Sequence, residues 1–83
     1  MAEGRIEIGK VTNFYSKIGV AVIELSAPLS VGDRILFKGK NTNFEQIAES
    51  MQIEHKPVQR AEAGQLVGLK VKERVRPGDI VYK

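Results

Sequence analysis

The stretch Ala27-Pro28-Leu29-Ser30-Val31-Gly32-Asp33-Arg34-Ile35-Leu36-Phe37-Lys38 decides the fold. Its first part, Ala27 to Asp33, joins a β-rich run at Gly19–Leu25 to another at Asp33–Lys38. That connection is too short for the helical crossover that parallel strands need, so the neighbours should pair antiparallel. The segment Val31-Gly32-Asp33-Arg34-Ile35 has two echoes, Ala63-Gly64-Gln65-Leu66-Val67 and Pro77-Gly78-Asp79-Ile80-Val81. Each sets a turn glycine before a polar residue and an apolar strand; glycine takes positive φ without steric cost, and Pro77 presets its turn. Such turns recur in many β proteins, so the echo bears on fold alone.

Working outward, short Val- and Ile-rich runs recur at Arg5–Val11, Gln65–Lys72 and Asp79–Tyr82, each too brief for a typical helix. Together they predict an all-β fold, a barrel or a sandwich with mostly antiparallel neighbours. Ile6, Ile8, Ile23, Leu25, Ile35, Phe37, Val67, Leu69 and Val71 are expected to supply much of its interior. Ile6 and Ile8 share one strand face but Val11 has the opposite parity, so a β-bulge near Gly9-Lys10 is expected. Between Phe44 and Met51 two patterns compete. Phe44, Ile47, Ala48 and Met51 fall at helical spacing, and Thr42 with Glu45 has the form of a capping box. Met51 and Ile53 continue a period of two, which favours strand.

The 83 residues suffice for one domain, expected to span 1–83, and leave little room for separate catalytic machinery. With 42% hydrophobic and 28% charged residues the chain should fold, and its net charge of +3 tolerates a polyanion without resembling a dedicated nucleic-acid tail. Cysteine is absent, which removes disulfides, thiolate nucleophiles and sulfur-ligated metals and suits a reducing cytoplasm. The longest apolar run, Val20–Ile23, is far below the roughly 20 residues of a membrane span. The start, Met1 to Arg5, does not lead into a secretory signal. A cytoplasmic protein with no membrane contact is expected.

Catalytic motifs are missing. The single histidine, His55, lies beside Glu54, and strand neighbours point to opposite faces, so the two cannot share a metal. Ser16, Ser26, Ser30 and Ser50 stand in no nucleophile-elbow sequence. Neither a P-loop nor a Gly-x-Gly-x-x-Gly opens a helix, so phosphate finds no backbone cradle and no GTP binding is expected. No catalytic residue, metal or cofactor is predicted.

The positive feature is Leu69-Lys70-Val71-Lys72-Glu73-Arg74-Val75-Arg76. In an extended chain Leu69, Val71 and Val75 face inward. Lys70, Lys72, Arg74 and Arg76 then line the other face at intervals of about 6.5–7 Å, near the spacing of phosphates along one strand. Arg34 and Lys38, flanking Ile35 and Phe37, add a second row. The competing reading is protection of a sheet edge, where Lys and Arg discourage aggregation. Phe14 and Tyr15 fall in an expected loop with Lys17 and suit base stacking, whereas Phe37 and Phe44 suit the core.

The order Gly9-Lys10-Val11, Ile18 to Leu25, Leu29 to Ile35, Glu49 to Ile53, Ala61 to Leu69 and Gly78 to Val81 resembles the second domain of elongation factor Tu and related translation GTPases. Including Phe44-Glu45-Gln46 and Met51-Gln52-Ile53-Glu54-His55, it is most similar to the C-terminal barrel appended to some collagenase-like peptidase family proteins. Certain members of that group act in RNA modification. The resemblance implies a small antiparallel β-barrel of six or seven strands, of the elongation factor Tu domain 2 type, and partners among structured RNA, ribosome-associated complexes or RNA-modifying assemblies. The GTPase and peptidase motifs are absent, so neither activity carries over. The expected function is a free-standing non-enzymatic binding module that contacts RNA through the basic residues. The alternative is a protein-interaction module that docks on a separately encoded catalytic partner.

Overall fold

The computed structural model describes residues 6–83; Arg5, the expected start of the first strand, and the Met1–Arg5 reading lie outside the described residues. Ten strands follow in order: β1 (Glu7–Tyr15), β2 (Val20–Leu25), β3 (Leu29–Ser30), β4 (Arg34–Lys38), β5 (Asn43–Ile47), β6 (Met51–Ile53), β7 (Lys56–Val58), β8 (Arg60–Ala61), β9 (Leu66–Lys70) and β10 (Ile80–Tyr82). Eight form one antiparallel sheet in the order β5-β4-β10-β1-β2-β9-β6-β7, and β3 pairs with β8 beside it. The described residues contain no helix.

This order forces the sheet to curl. β5 is first and β6 seventh, yet only residues 48–50 separate them in the chain. Six inter-strand steps in a flat sheet span about 28 Å. The four Cα steps from Ile47 to Met51 reach at most about 15 Å. The edges must therefore swing together into an open barrel, and the apolar faces close on one another inside.

Eight of the nine predicted interior residues are buried there, with Ile23, Ile35, Phe37, Val67 and Leu69 fully so. Ile6 is the exception at 68% exposed. It exchanges backbone hydrogen bonds with Lys83 on the rung beyond Glu7–Tyr82, where the right parity finds no core to cover it. The bulge falls slightly earlier than expected: Glu7 and Gly9 oppose Tyr82 and Val81, so Ile8 is the extra residue. A second irregularity against β2 lies between Val11 and Asn13.

The sheet holds more strands than the six or seven expected because the 44–58 region yields three: β5, β6 and the Pro57-containing β7. Pro57 hides β7 from a sequence reading, but a proline is tolerated on an outer strand, and β7 is last in the sheet order. Glu54 and His55 are not strand neighbours. They form the two-residue turn of the β6–β7 hairpin, with φ of 52° and 67°.

The echoed segments are three copies of one turn. Gly32, Gly64 and Gly78 have φ of 99°, 89° and 99°, as the third residue of a type II turn requires. In each, the residue after the glycine donates its N–H to the first residue's carbonyl, and its side chain accepts that first residue's N–H. Asp33 and Asp79 do so at 2.9 Å from Ser30 and Arg76, and Gln65 at 2.7 Å from Glu62. The polar residue in the echo is thus the clasp of the turn.

Asp33 also meets Lys83, with Nζ 3.0 Å from Oδ2. Burial pushes the Asp33 carboxyl upward, but the Ser30 N–H, the Lys83 ammonium and the Arg60 charge outweigh it and hold the carboxyl below its ordinary value of 3.8. The unfolded chain therefore binds this proton more readily than the native one, so the contribution is complete above the ordinary value and is lost as pH falls through the lowered one. Urea midpoints for the parent should drop between about pH 6 and about pH 3 more steeply than those of Asp33→Asn, which keeps an acceptor for Ser30 but has no charge to lose. Equal slopes would remove Asp33 from the account of acid sensitivity.

Candidate nucleic-acid interface

The barrel closes where β5 approaches the chain leaving β9, and the Gln46 side chain bridges the gap. The Gln46 amide donates from Nε2 to the Lys70 carbonyl at 2.9 Å, and its Oε1 accepts the Lys72 N–H at 2.9 Å. It thereby reproduces the donor and acceptor of a peptide group across a seam that has no backbone ladder. Claimed by Gln46, the chain leaves strand geometry after Lys70.

The extended row expected over residues 70–76 consequently does not form. Val71 and Val75 are buried as predicted, but Glu73, which strict alternation would bury with them, is exposed. Lys70, Lys72, Arg74 and Arg76 are all exposed, distributed along a bent segment rather than at strand intervals. Lys70 Nζ donates to the Ile18 carbonyl at 2.9 Å.

Two shallow depressions flank the seam. Arg34, Lys70 and Lys72 line the first, of about 640 Å³, together with Glu45 and Glu49. Lys38 and Arg74 line the second, of about 400 Å³, with Lys40 and Glu73. Five of the six candidate contacts thus gather along one seam from two distant stretches. Arg76 lines neither, and its backbone serves the Asp79 turn. Lys40 escaped the sequence reading; Gly39 and Thr42 exchange hydrogen bonds and turn the chain so that Lys40 lies beside Lys38. Cations outnumber carboxylates, so the seam favours an anion, although its acids interrupt a continuous phosphate track.

The aromatic residues divide. Phe37 and Phe44 stack in the core with centroids 5.0 Å apart and rings inclined by 21°. Phe14, expected in a loop, lies in β1 and packs partly against the core, while Tyr15 at the strand end is 49% exposed. Among the described residues no three His, Asp or Glu side chains cluster as metal ligands.

Fold and seam define a class: a small, curled, antiparallel all-β module whose closure is bordered by cations. Its relatives are more particular. An uncharacterised protease of Methanocaldococcus jannaschii is 52% identical over 79 residues, 94% of this chain and 19% of that protein. A collagenase of Porphyromonas gingivalis is 37% identical over 81 residues, 95% of this chain and 20% of that protein. The chain thus spans about a fifth of the length of the curated relatives it matches. The crystal structure of the C-terminal domain of a Geobacillus thermoleovorans protein assigned to the U32 peptidases superimposes with a TM-score of 0.89 and 26% identity, covering 94% of this chain and 99% of that one. No family model matches the chain. Its homologues are thus U32 peptidase and collagenase proteins, and its fold is that of a C-terminal domain among them.

Proposed function

We propose that this chain is a non-enzymatic accessory module that contacts RNA through the closure seam, in the service of a catalytic protein of the U32 type. The observation that carries the reading is the gathering of Arg34, Lys38 and Lys40 with Lys70, Lys72 and Arg74 on one side of the barrel. Side chains that serve only to protect an edge have no need to converge from two stretches. The expected kinship with the second domain of elongation factor Tu belongs to the same reading, as does a place in the cytoplasm without GTP. Arg76 is a peripheral contributor at most.

The test is salt dependence. Each phosphate neutralised on single-stranded RNA contributes about −0.7 to the slope of log affinity against log salt. Lys72→Gln with Arg74→Gln should lower the magnitude of that slope by about 1.4, while Lys10→Gln with Lys56→Gln, two exposed lysines away from the seam, should leave the site-specific part in place. Lys83 is unsuited as a control because it pairs with Asp33. Equal slopes for the two double variants, or no binding by the parent at low salt, would reject the RNA reading.

A further inference from the structure

Two features that the fold does not require converge on the outer face of β2 and β9. The first is Gly68, in the middle of β9 opposite Val22 and Gln52. Its φ is not among the positive ones, and an added Cβ would meet only Val20 Cγ1 at 3.4 Å and the Gln52 carbonyl at 3.7 Å, ordinary contact distances. Alanine would fit and would favour the strand by roughly 0.5–1 kcal/mol. A glycine inside a strand that neither backbone nor packing needs marks a place where something else approaches closely.

The second is the Glu54-His55 turn. Turns with two consecutive positive φ values favour Asn and Gly, and a side chain held there costs about 1–2 kcal/mol per residue. Strain of this kind persists where it serves a site.

Both features border one depression of about 590 Å³. Its wall is mostly apolar, with Ile18, Val20, Val22 and Leu66 as the aliphatic part and Gln52, Gln65 and His55 as polar neighbours. Leu66 is 56% and Ile18 58% exposed, so large aliphatic side chains stand in water here without a partner. The one residue of fixed charge in the lining is Glu54, which repels phosphate.

We infer that this depression is the seat by which the module docks on the catalytic body of a U32-type protein, with an apolar side chain of that body entering over Gly68. The occupant follows from two facts. The lining is mainly hydrocarbon and offers a polyanion neither lysine nor arginine. The homologues carry some four-fifths of their length outside the stretch matching this chain, so the module has a large protein neighbour there. The inference is independent of RNA contact at the seam.

The experiment places this chain in the Methanocaldococcus jannaschii relative in exchange for the stretch it matches. Leu66→Cys reports on the depression and Lys10→Cys on an unrelated exposed strand position. Maleimide labelling, read on the labelled peptide by mass spectrometry, should be at least about tenfold slower at residue 66 in the full-length chimera than in the 83-residue chain, because thiol reactivity follows access. Residue 10 should react equally in both. Gly68→Leu, which fills the notch, should restore fast labelling at residue 66 with the thermal midpoint unchanged; Val22→Arg on the same face reads out the same loss if Gly68→Leu does not fold. Equal rates at residue 66 in chimera and isolated chain would overturn the inference. So would concentration-dependent protection in the isolated chain, which assigns the face to a second copy, or protection that appears only with RNA.

Discussion

Phe37→Ala is expected to lower the free energy of unfolding by about 3–5 kcal/mol, the usual range for removing a buried ring and leaving its cavity. Phe37 is fully buried in β4, opposite Phe44 across the hairpin and stacked on it. The truncation removes the ring, the stack and part of the contact between β4 and the rest of the core in one step. A chain this short has a total stability on the order of 4–12 kcal/mol, so the variant should be largely unfolded in moderate urea where the parent remains native. Phe44→Leu is the graded comparison, since Phe44 is 8% exposed and leucine retains most of the volume. Far-ultraviolet circular dichroism against urea measures both. A loss below about 1.5 kcal/mol for Phe37→Ala would place the ring outside the cooperative core.

The core was legible because period-two patterning needs no knowledge of neighbours. Val67, Leu69 and Val71 alternate with Leu66, Gly68 and Lys70, and the structure buries the first set and leaves the second outside. That same parity already places Leu66 and Gly68 on the outer face, although it does not say that Ile18 and the β6–β7 turn surround them. Height along the barrel is not written in parity, which is why Ile6 has the correct face and no cover. The helical spacing of Phe44, Ile47, Ala48 and Met51 is a coincidence of two strands. Phe44 is an inward position near the start of β5, Ala48 lies in the crossing to β6, and Met51 begins β6, whereas Ile47, which a helix would bury with them, is 39% exposed.

The seam was legible in composition and not in shape. Alternate basic residues over 70–76 predict a straight row only if the strand continues, and continuation depends on what the Lys72 N–H finds. It finds Gln46, 26 residues away, and nothing near Lys72 in the sequence marks that partner. The Glu54-His55 turn lacked even a local signal, because its φ values belong to Asn and Gly.

Gly39→Ala carries the other large expected effect, about 2–4 kcal/mol, and it tests how the third turn supports the sheet. A Cβ on Gly39 would fall inside the carboxylate of Asp79, a side chain only 5% exposed. Asp79 cannot move aside cheaply. Its Oδ2 holds the Arg76 N–H at 2.9 Å, its backbone carbonyl accepts the Val11 N–H at 2.8 Å, and the Gly78 N–H donates to the Val11 carbonyl at 2.8 Å. These bonds set the entry of β10, the strand that joins β1 to β4 across the middle of the sheet. Displacing the carboxylate therefore adds loss of the turn's clasp to the steric overlap. A double-mutant cycle separates the two. Asp79→Ala alone should destabilise by about 1–3 kcal/mol through the uncapped Arg76 N–H. Combined with Gly39→Ala, it removes the carboxylate that the new methyl meets, so the loss in the double variant should be smaller than the sum of the single losses by at least about 1 kcal/mol. Strict additivity would show that the methyl is absorbed by movement of the β4–β5 turn instead, and that Asp79 holds β10 without help from the space Gly39 leaves.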